Sequence, residues 1–433
     1  MRGGVNGENT SRPLRCVTIC DKVAAARLDF FRELGLTILD RWRRADLDTR
    51  AFCDIAGGAL LDRPPSAHVD PMDVVRWVHE APLLGPQTDV PARFGQPPVT
   101  VFHCESFHIA VLFWVDGTTA IHQHGFSGAF HVMQGSSLES VFRFRPLQRY
   151  GDSLMTGELS LHGVELRQKG DVAPIRAGTE FVHSLFHLDR PSVSVVVRTP
   201  SEPMAGPQYT YSRAGLAFDP FARTEALERR LQTLDLLRRL DHPEFEALAT
   251  GSARRADAFL AFRLLLDLSK HVEPHDRYIA LLRGVKPAHA ELVDALISHA
   301  ELMRREAHIV SRRQIAKQPE HRFFLALLLN LEDRASIVAM IRRAFPERSP
   351  VDAIVSWLAE FQKLDAINAW VSEVAKKAPA PILDVPMDEV SLGAVRDLLQ
   401  GRWDDPAPPA LSERYAALRG SSLLRPLFVD RSA

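Results

Sequence analysis

Residues 117–135 read Gly117-Thr-Thr-Ala-Ile-His122-Gln-His124-Gly-Phe-Ser-Gly128-Ala-Phe-His131-Val-Met-Gln-Gly135. The centre of this stretch is His122-Gln123-His124. On a β-strand, side chains alternate between faces, so two histidines one residue apart point the same way. Two imidazoles on one face, beside a glycine-rich turn, can share one metal ion. The flanks suit strands. Phe107 to Val115 is an apolar run of β-formers, Asp116-Gly117 is a turn signal, and Ala129 to Met133 resumes the apolar pattern.

Working outward, short strands are expected near Val99–Cys104, Phe107–Val115, Thr119–His124, Phe130–Met133 and Ser137–Phe144. Further strands are expected near Glu158–Leu161, Val164–Gln168, Asp171–Ile175, Phe181–Phe186 and Ser192–Arg198. Closely spaced short strands with Gly and Pro turns point to a sandwich or barrel. Upstream, Leu28, Phe31, Leu34, Ile38 and Trp42 fall at helical spacing, with Gly35 as a weak point that splits or softens the helix. A second helix is expected over Met72 to His79, and a loop with five prolines over Ala81 to Pro98. This arm is expected to pack outside the barrel. From Pro220 onward, Leu and Ala recur every three to four residues among charges, as in Leu227, Leu231, Leu234, Leu237 and Leu240. The expected division is 1–98 (disordered start and helical arm), 99–215 (barrel), 220–375 (α-helical domain) and 376–433 (Pro-rich linker and short helices).

The chain has 433 residues, 46% hydrophobic and 25% charged, with a formal net charge of −1. That balance is ordinary for a soluble protein and supplies no basic field for nucleic acid or an anionic membrane. Cys16, Cys20, Cys53 and Cys104 are too few and too irregular for a disulfide framework, which suits a reducing cytoplasm. No stretch has the length and apolarity of a membrane span. A role without nucleic acid or membrane is therefore expected.

The spacing from Gly117 through His122, His124, Gly128 and Gly135 resembles the first motif of the cupin family, Gly-x5-His-x-His-x3–4-Glu-x6-Gly. Gly117 lies one residue closer than the common spacing, and Gly128 stands where the family carries its glutamate ligand. A looser match to the second motif runs from Gly170 through Gly178 and His183, with His187 in the place of the asparagine and Arg176 in that of the proline. The resemblance covers roughly Val99 to Pro200. It implies a cupin-like β-barrel (a double-sheet jelly roll); with the helical patterns on either side, the expected fold class is an α+β multidomain chain with an N-terminal helical arm and an α-helical C-terminal domain.

The resemblance implies His122, His124 and His183 as metal ligands, with His187 as the competing third ligand or a hydrogen-bond partner behind the ligands. Glu139 is the nearest downstream carboxylate and an alternative ligand. His131 alternates with Ala129 and Met133 and is a candidate cavity residue, although it reads, like His103, His108 and His162, chiefly as structural or surface. Three neutral imidazoles leave the charge of a divalent ion uncompensated and up to three positions open. Fe(II) is the first choice, with Zn, Mn, Ni and Cu as alternatives. Loss of the carboxylate at Gly128 resembles the thiol dioxygenase branch of the cupins, which uses three histidines on Fe(II) and adds dioxygen to a substrate sulfur. That branch carries Ser-x-His-x-Tyr where this chain has Ser194-Val195-Val196-Val197-Arg198. Arg198 is a candidate for a substrate carboxylate, or a surface ion pair. Tyr209 or Tyr211 is a candidate phenol. The expectation is a metal-dependent oxygenase acting on a small substrate and dioxygen. A non-catalytic ligand-binding cupin, and a Zn or Mn isomerase or hydrolase, are the alternatives. The helical domain is expected to bind a protein partner or form a homodimer.

Overall fold

The structure, a computed structural model, describes residues 25–88, 90, 94–115, 117–375, 381–402 and 409–430. Cys16, Cys20, the first dozen residues, Asp116 of the expected turn and the expected break from Asp404 lie outside the described residues.

The N-terminal arm comprises helices α1 (Ala25–Arg44), α2 (Thr49–Asp62), α3 (Pro65–His68) and α4 (Pro71–Glu80). Helix α1 runs straight through Gly35 instead of breaking there. A Cβ at Gly35 would stand 2.6 Å from the Phe102 ring, so the glycine serves close packing, not a turn. Helix α2 lies in a stretch for which no helix was expected, and it carries Gly57-Gly58 in its interior. Its glycine face lies against the sheet: a Cβ at Gly57 would meet Ala129 and Val172 at 3.9 Å. Asp48 and Asp70 accept from the backbone N–H of Arg50 and Met72 and so cap α2 and α4.

Two antiparallel sheets follow. The first contains β1 (Pro98–His103), β2 (His108–Trp114), β4 (Gly128–Gln134), β7 (Val172–Ile175) and β9 (Ser192–Arg198), in the order β1-β2-β9-β4-β7. The second contains β3 (Ile121–His124), β5 (Ser136–Arg149), β6 (Leu154–Gln168) and β8 (Gly178–His187), joined by the short hairpin β10 (Thr210–Ser212) and β11 (Leu216–Phe218). Pairing of β10 with both β11 and β3 closes this second set into a ring. The double-sheet jelly roll is the fold that the motif spacing implies. The two strands expected near 158–168 are one strand, β6, since Gly163 stays paired in the β5–β6 ladder.

The outer face of the first sheet packs on the arm. Phe31, Leu34, Trp42, Phe52 and Leu60 share one buried cluster with Phe107, Ile109, Val111, Ala129, Val195 and Val197. Burying a large apolar side chain stabilises by about 1.5–3 kcal/mol, so this contact fixes the sheet firmly.

Helices α5 (Glu225–Arg239), α6 (Phe245–Arg255), α7 (Ala258–Leu268), α8 (His275–Val285) and α9 (Ala290–Arg312) surround a second cluster that includes Leu154 and Leu216 of the barrel. Helices α10 (Pro319–Asn330), α11 (Arg334–Ala344), α12 (Pro350–Ala375), α13 (Glu389–Gln400) and α14 (Pro409–Gly420) surround a third, which takes in Leu138, Phe186 and Leu188. Buried arginines tie these helices to the end of β8. Arg313 Nε donates to the His187 carbonyl at 2.8 Å, and Arg322 donates to the Leu188 carbonyl at 3.1 Å. No helix among the described residues is long and apolar enough to cross a membrane.

Candidate metal centre

Strand β3 is four residues long, and its alternation is complete. His122 and His124 face the space between the sheets, while Ile121 and Gln123 face the other way. Strand β8 pairs with it so that His183 lies directly opposite His122. Residues directly opposite in an antiparallel pair share a face, so register brings the third histidine to the first two. One ring nitrogen from each of His122, His124 and His183 lies within 4.8 Å of the others, and all three residues are buried.

The hydrogen bonds orient two of these rings. His122 Nδ1 is 2.8 Å from the Ala120 carbonyl, so Nδ1 carries the proton and Nε2 is left as a lone pair with no partner. His183 Nδ1 is 2.8 Å from Glu139 Oε1, which turns Nε2 towards His124. His124 Nε2 stands 3.0 Å from His183 Nε2. Two nitrogens about 2.1 Å from one ion, at right angles to each other, would be about 3.0 Å apart. The His124–His183 pair therefore has the spacing of two ligands on one ion, and His122 lies close enough to join them. Burial pushes His122 down to about 3, helped by the nearby His183, and burial also drives His124 well below its ordinary value. These imidazoles are neutral at physiological pH, the form that binds metal.

Glu139 is fully buried and lies behind His183, on the ring nitrogen away from the other histidines. Its second oxygen accepts from Arg167 Nε at 2.7 Å. Burial pushes this carboxyl up, but His183 and Arg167 outweigh it and hold the carboxyl below its usual range. As a hydrogen-bond partner of a ligand histidine, Glu139 is outside the group whose nitrogens converge. It orients the His183 ring and returns negative charge to the neighbourhood.

Gly128 explains the missing glutamate. A Cβ at this position would stand 2.0 Å from the Val197 carbonyl oxygen and 3.0 Å from Arg198 Cα. Strand β9 passes so close that no side chain fits where the family pattern has its carboxylate.

The remaining candidates fall in different places. His187 lines the same cavity, but its Nδ1 bonds Ser137 Oγ at 2.8 Å and its ring stacks on Trp114, so it is outside the convergent group. Arg198 lines the cavity. Its Nε donates to His108 Nε2 at 3.0 Å, and its guanidinium lies over Phe126 at 4.4 Å.

Tyr209 and Tyr211, expected as possible phenols, are on the opposite face. Tyr211 pairs with Ile121, which points away from the histidines, and Tyr209 follows it two residues off. Their hydroxyls donate to the Asp152 carbonyl and to Gln123 Oε1. His131, a candidate for the cavity wall, is on the outer face of β4. Its Nε2 accepts from the Ser66 amide at 3.2 Å, under helix α3, while Phe130 and Val132 take the inner face.

The cavity has a volume of about 220 Å³. Among the described residues, those lining it fall between Thr88 and Phe221, and helices α5 to α14 contribute none of them. Leu112, Trp114, Phe130, Val132, Leu185 and Val196 make an apolar lining. Sequence reasoning missed His108 and Phe94 here. Phe94, from the Pro-rich loop, sets its ring edge-on to both Trp114 and His122, at 5.2 and 5.9 Å between centroids. A phenylalanine in a loop carries no periodic signal. The alternation His108, Ala110, Leu112, Trp114 along β2 was available as a clue to His108.

No protein-family model matches the chain, and no curated protein matches it. Among solved structures, the chain is similar to a hydroquinone 1,2-dioxygenase from Sphingomonas sp. TTNP3 with 4-hydroxybenzoate bound, at 12% identity and a TM-score of 0.20, over 25% of this chain and 68% of that one. It is also similar to a protein with a double-stranded β-helix domain from Klebsiella pneumoniae, at 16% identity and a TM-score of 0.18, over 28% and 84%. A third is a hydroquinone 1,2-dioxygenase in complex with Cd2+ and 4-hydroxybenzonitrile, at 15% identity and a TM-score of 0.20, over 28% and 83%. Likeness of this degree says nothing about the reaction.

Proposed function

We propose that this chain is an Fe(II)-dependent oxygenase acting on a small molecule in the barrel cavity, with His122, His124 and His183 as ligands. The observation that carries this reading is the convergence of three buried imidazoles with the fourth ligand position closed at Gly128. A bound Fe(II) would supply open coordination positions where a substrate and dioxygen meet. The chain's own residues do the rest. Ala120 and Glu139 fix the tautomers of His122 and His183. The apolar lining excludes water and positions the substrate. Arg198, half-buried at the cavity wall beside His124 and Phe126, is the residue to meet an acidic substrate group.

The missing carboxylate ligand supports the likeness to thiol dioxygenases, which makes a thiol or amino-acid-like substrate the first class to screen. Free, buried Cys53 and Cys104 agree with a reducing cytoplasm. The division at residues 98, 215 and 375, and a partner-binding or homodimer role for the helical region, belong to the same proposal.

The test is elemental analysis of protein purified without added metal, for wild type and for the His122→Ala/His124→Ala double variant. About one iron per chain, absent from the variant, is expected, followed by dioxygen uptake with a thiol panel. Stoichiometric zinc or manganese would replace the oxygenase with non-redox chemistry. No metal even after anaerobic Fe(II) reconstitution would leave a binding barrel.

A further inference from the structure

His187 is the one histidine in the cavity wall that the metal site does not use and that has no protein partner on its free edge. It is 2% exposed. Its ring is fixed from three sides: Ser137 Oγ on Nδ1, the Trp114 indole stacked at 4.5 Å and 17°, and Arg313 on its own backbone carbonyl. Its Nε2 is buried and has no hydrogen-bond partner. A buried polar atom on a ring held this rigidly costs stability unless something meets it. Packing does not need the nitrogen, since a phenyl ring would stack on Trp114 equally well.

His187 shares the face of His183 and is four residues further along β8, about 13 Å away at strand rise. Between them the cavity is lined by Leu185, Leu112, Val132 and Val196. Ser192 and Ser194 also border the His187 end, but their hydroxyls are engaged, Ser192 with the Ser136 carbonyl and Ser194 with the Trp114 indole N–H.

We propose that His187 Nε2 is a second anchor for the substrate: the cavity takes an elongated small molecule with a metal-binding group at one end, an apolar middle, and a neutral hydrogen-bonding group, a hydroxyl or carbonyl, at the other. This inference rests on the metal site proposed above. A neutral group fits better than a carboxylate because the imidazole offers one uncharged contact, while the guanidiniums nearby are already engaged, Arg167 with Glu139 and Glu165 and Arg313 with the His187 carbonyl. A site built to bond such a group rejects the analogue that lacks it, because Nε2 is then left buried and unpaired.

The test uses the full chain loaded with Co(II), whose thiolate charge-transfer absorption reports binding without turnover. The probes are ω-mercaptoalkanols from mercaptoethanol to mercaptooctanol, each paired with the alkanethiol lacking the hydroxyl. Wild type is expected to bind one intermediate chain length about tenfold tighter with the hydroxyl than without it. That preference should vanish in His187→Phe, partly return in His187→Gln, and shrink in Ser137→Ala, with cobalt content unchanged in all three. A wild-type protein indifferent to the hydroxyl at every length would overturn the inference while leaving the metal site standing. So would a preference that survives in His187→Phe. Failure of wild type to take up cobalt, or to give a thiolate band, would instead overturn the metal-site reading and this inference with it.

Discussion

Strands β3 and β8 have two faces that do opposite things. On one, His122, His124 and His183 present ring nitrogens to a cavity, and the nitrogens of His122 Nε2 and His187 Nε2 have no protein partner. On the other, Ile121, Gln123 and Val182 close against Phe142, Met155, Tyr209 and Tyr211, and both tyrosine hydroxyls are bonded to protein acceptors. The two faces are made by the same two strands, four and ten residues long, with period-two alternation as the separator. Burial is similar on both; satisfaction is not. Unmet polar atoms mark the side that expects a ligand, and paired ones mark the side that holds the fold.

The comparison can be broken most directly by removing one face at a time. The His122→Ala/His124→Ala double variant should lose all bound metal in elemental analysis, whereas Tyr211→Phe should keep the wild-type stoichiometry. If Tyr211→Phe also empties the site, the two faces are not separable.

Acid should act through the cavity side. His108 and His187 are buried and pushed down to about 3, chiefly by burial, with Arg198 and Arg313 respectively adding to it. An unfolded chain protonates such histidines near pH 6.5, so it binds more protons than the folded one below that pH. Their contribution is therefore intact above pH 6.5 and is lost as pH falls towards 3. Metal-free protein should lose on the order of 5 kcal/mol between pH 6.5 and 4.5 from these two groups, at about 1.4 kcal/mol per unit each. Chemical denaturation across that range measures it, and His187→Phe should flatten the slope. Burial raises Tyr211 instead, so the tyrosine face should be insensitive to pH throughout this range.

Gly128→Glu tests whether the family's carboxylate can be restored. With a Cβ 2.0 Å from the Val197 carbonyl, the variant should lose at least about 3 kcal/mol of stability and gain no metal affinity. Glu139→Gln keeps shape and removes charge behind His183. A tenfold to hundredfold loss of metal affinity is expected by competition with a chelator, with a loss of about 1–3 kcal/mol in stability because one of the His183 and Arg167 donors then faces an NH2 group. The smallest effect should be on the tyrosine side. Tyr211→Phe leaves Gln123 Oε1 without its donor in a buried place, a cost of about 1–3 kcal/mol visible only in unfolding curves.

The sequence made much of this visible, and the limits have physical reasons. His122-Gln123-His124 announces a shared face by spacing alone, and the glycines around it announce a barrel turn. The gap at Gly128 was also visible, but its cause was not, because the obstacle is the backbone of β9, some seventy residues away. Glu139 could be listed only as a nearby carboxylate. Its place behind His183 depends on the β5–β8 register, in which Val141 is opposite His183. The tyrosines were misplaced for the same reason. Which way Tyr211 points is set by its pairing with Ile121 in a hairpin too short to leave a pattern. His131 alternates as expected, but alternation does not say which face is inside. Helix α2 carries two adjacent glycines, one of which, Gly57, faces the sheet.

The crossing of β9 over Gly128 also bears on protein engineering. A designer who wants to turn this site into one with a carboxylate ligand has no route through the position that the spacing suggests. The charge would have to enter from another strand whose side chains already face the cavity, such as Phe130 on β4 or Val196 on β9. A library built on the cupin motif would spend its diversity at a residue that tolerates none. One built on the cavity-facing strand positions would search the only ground that can move.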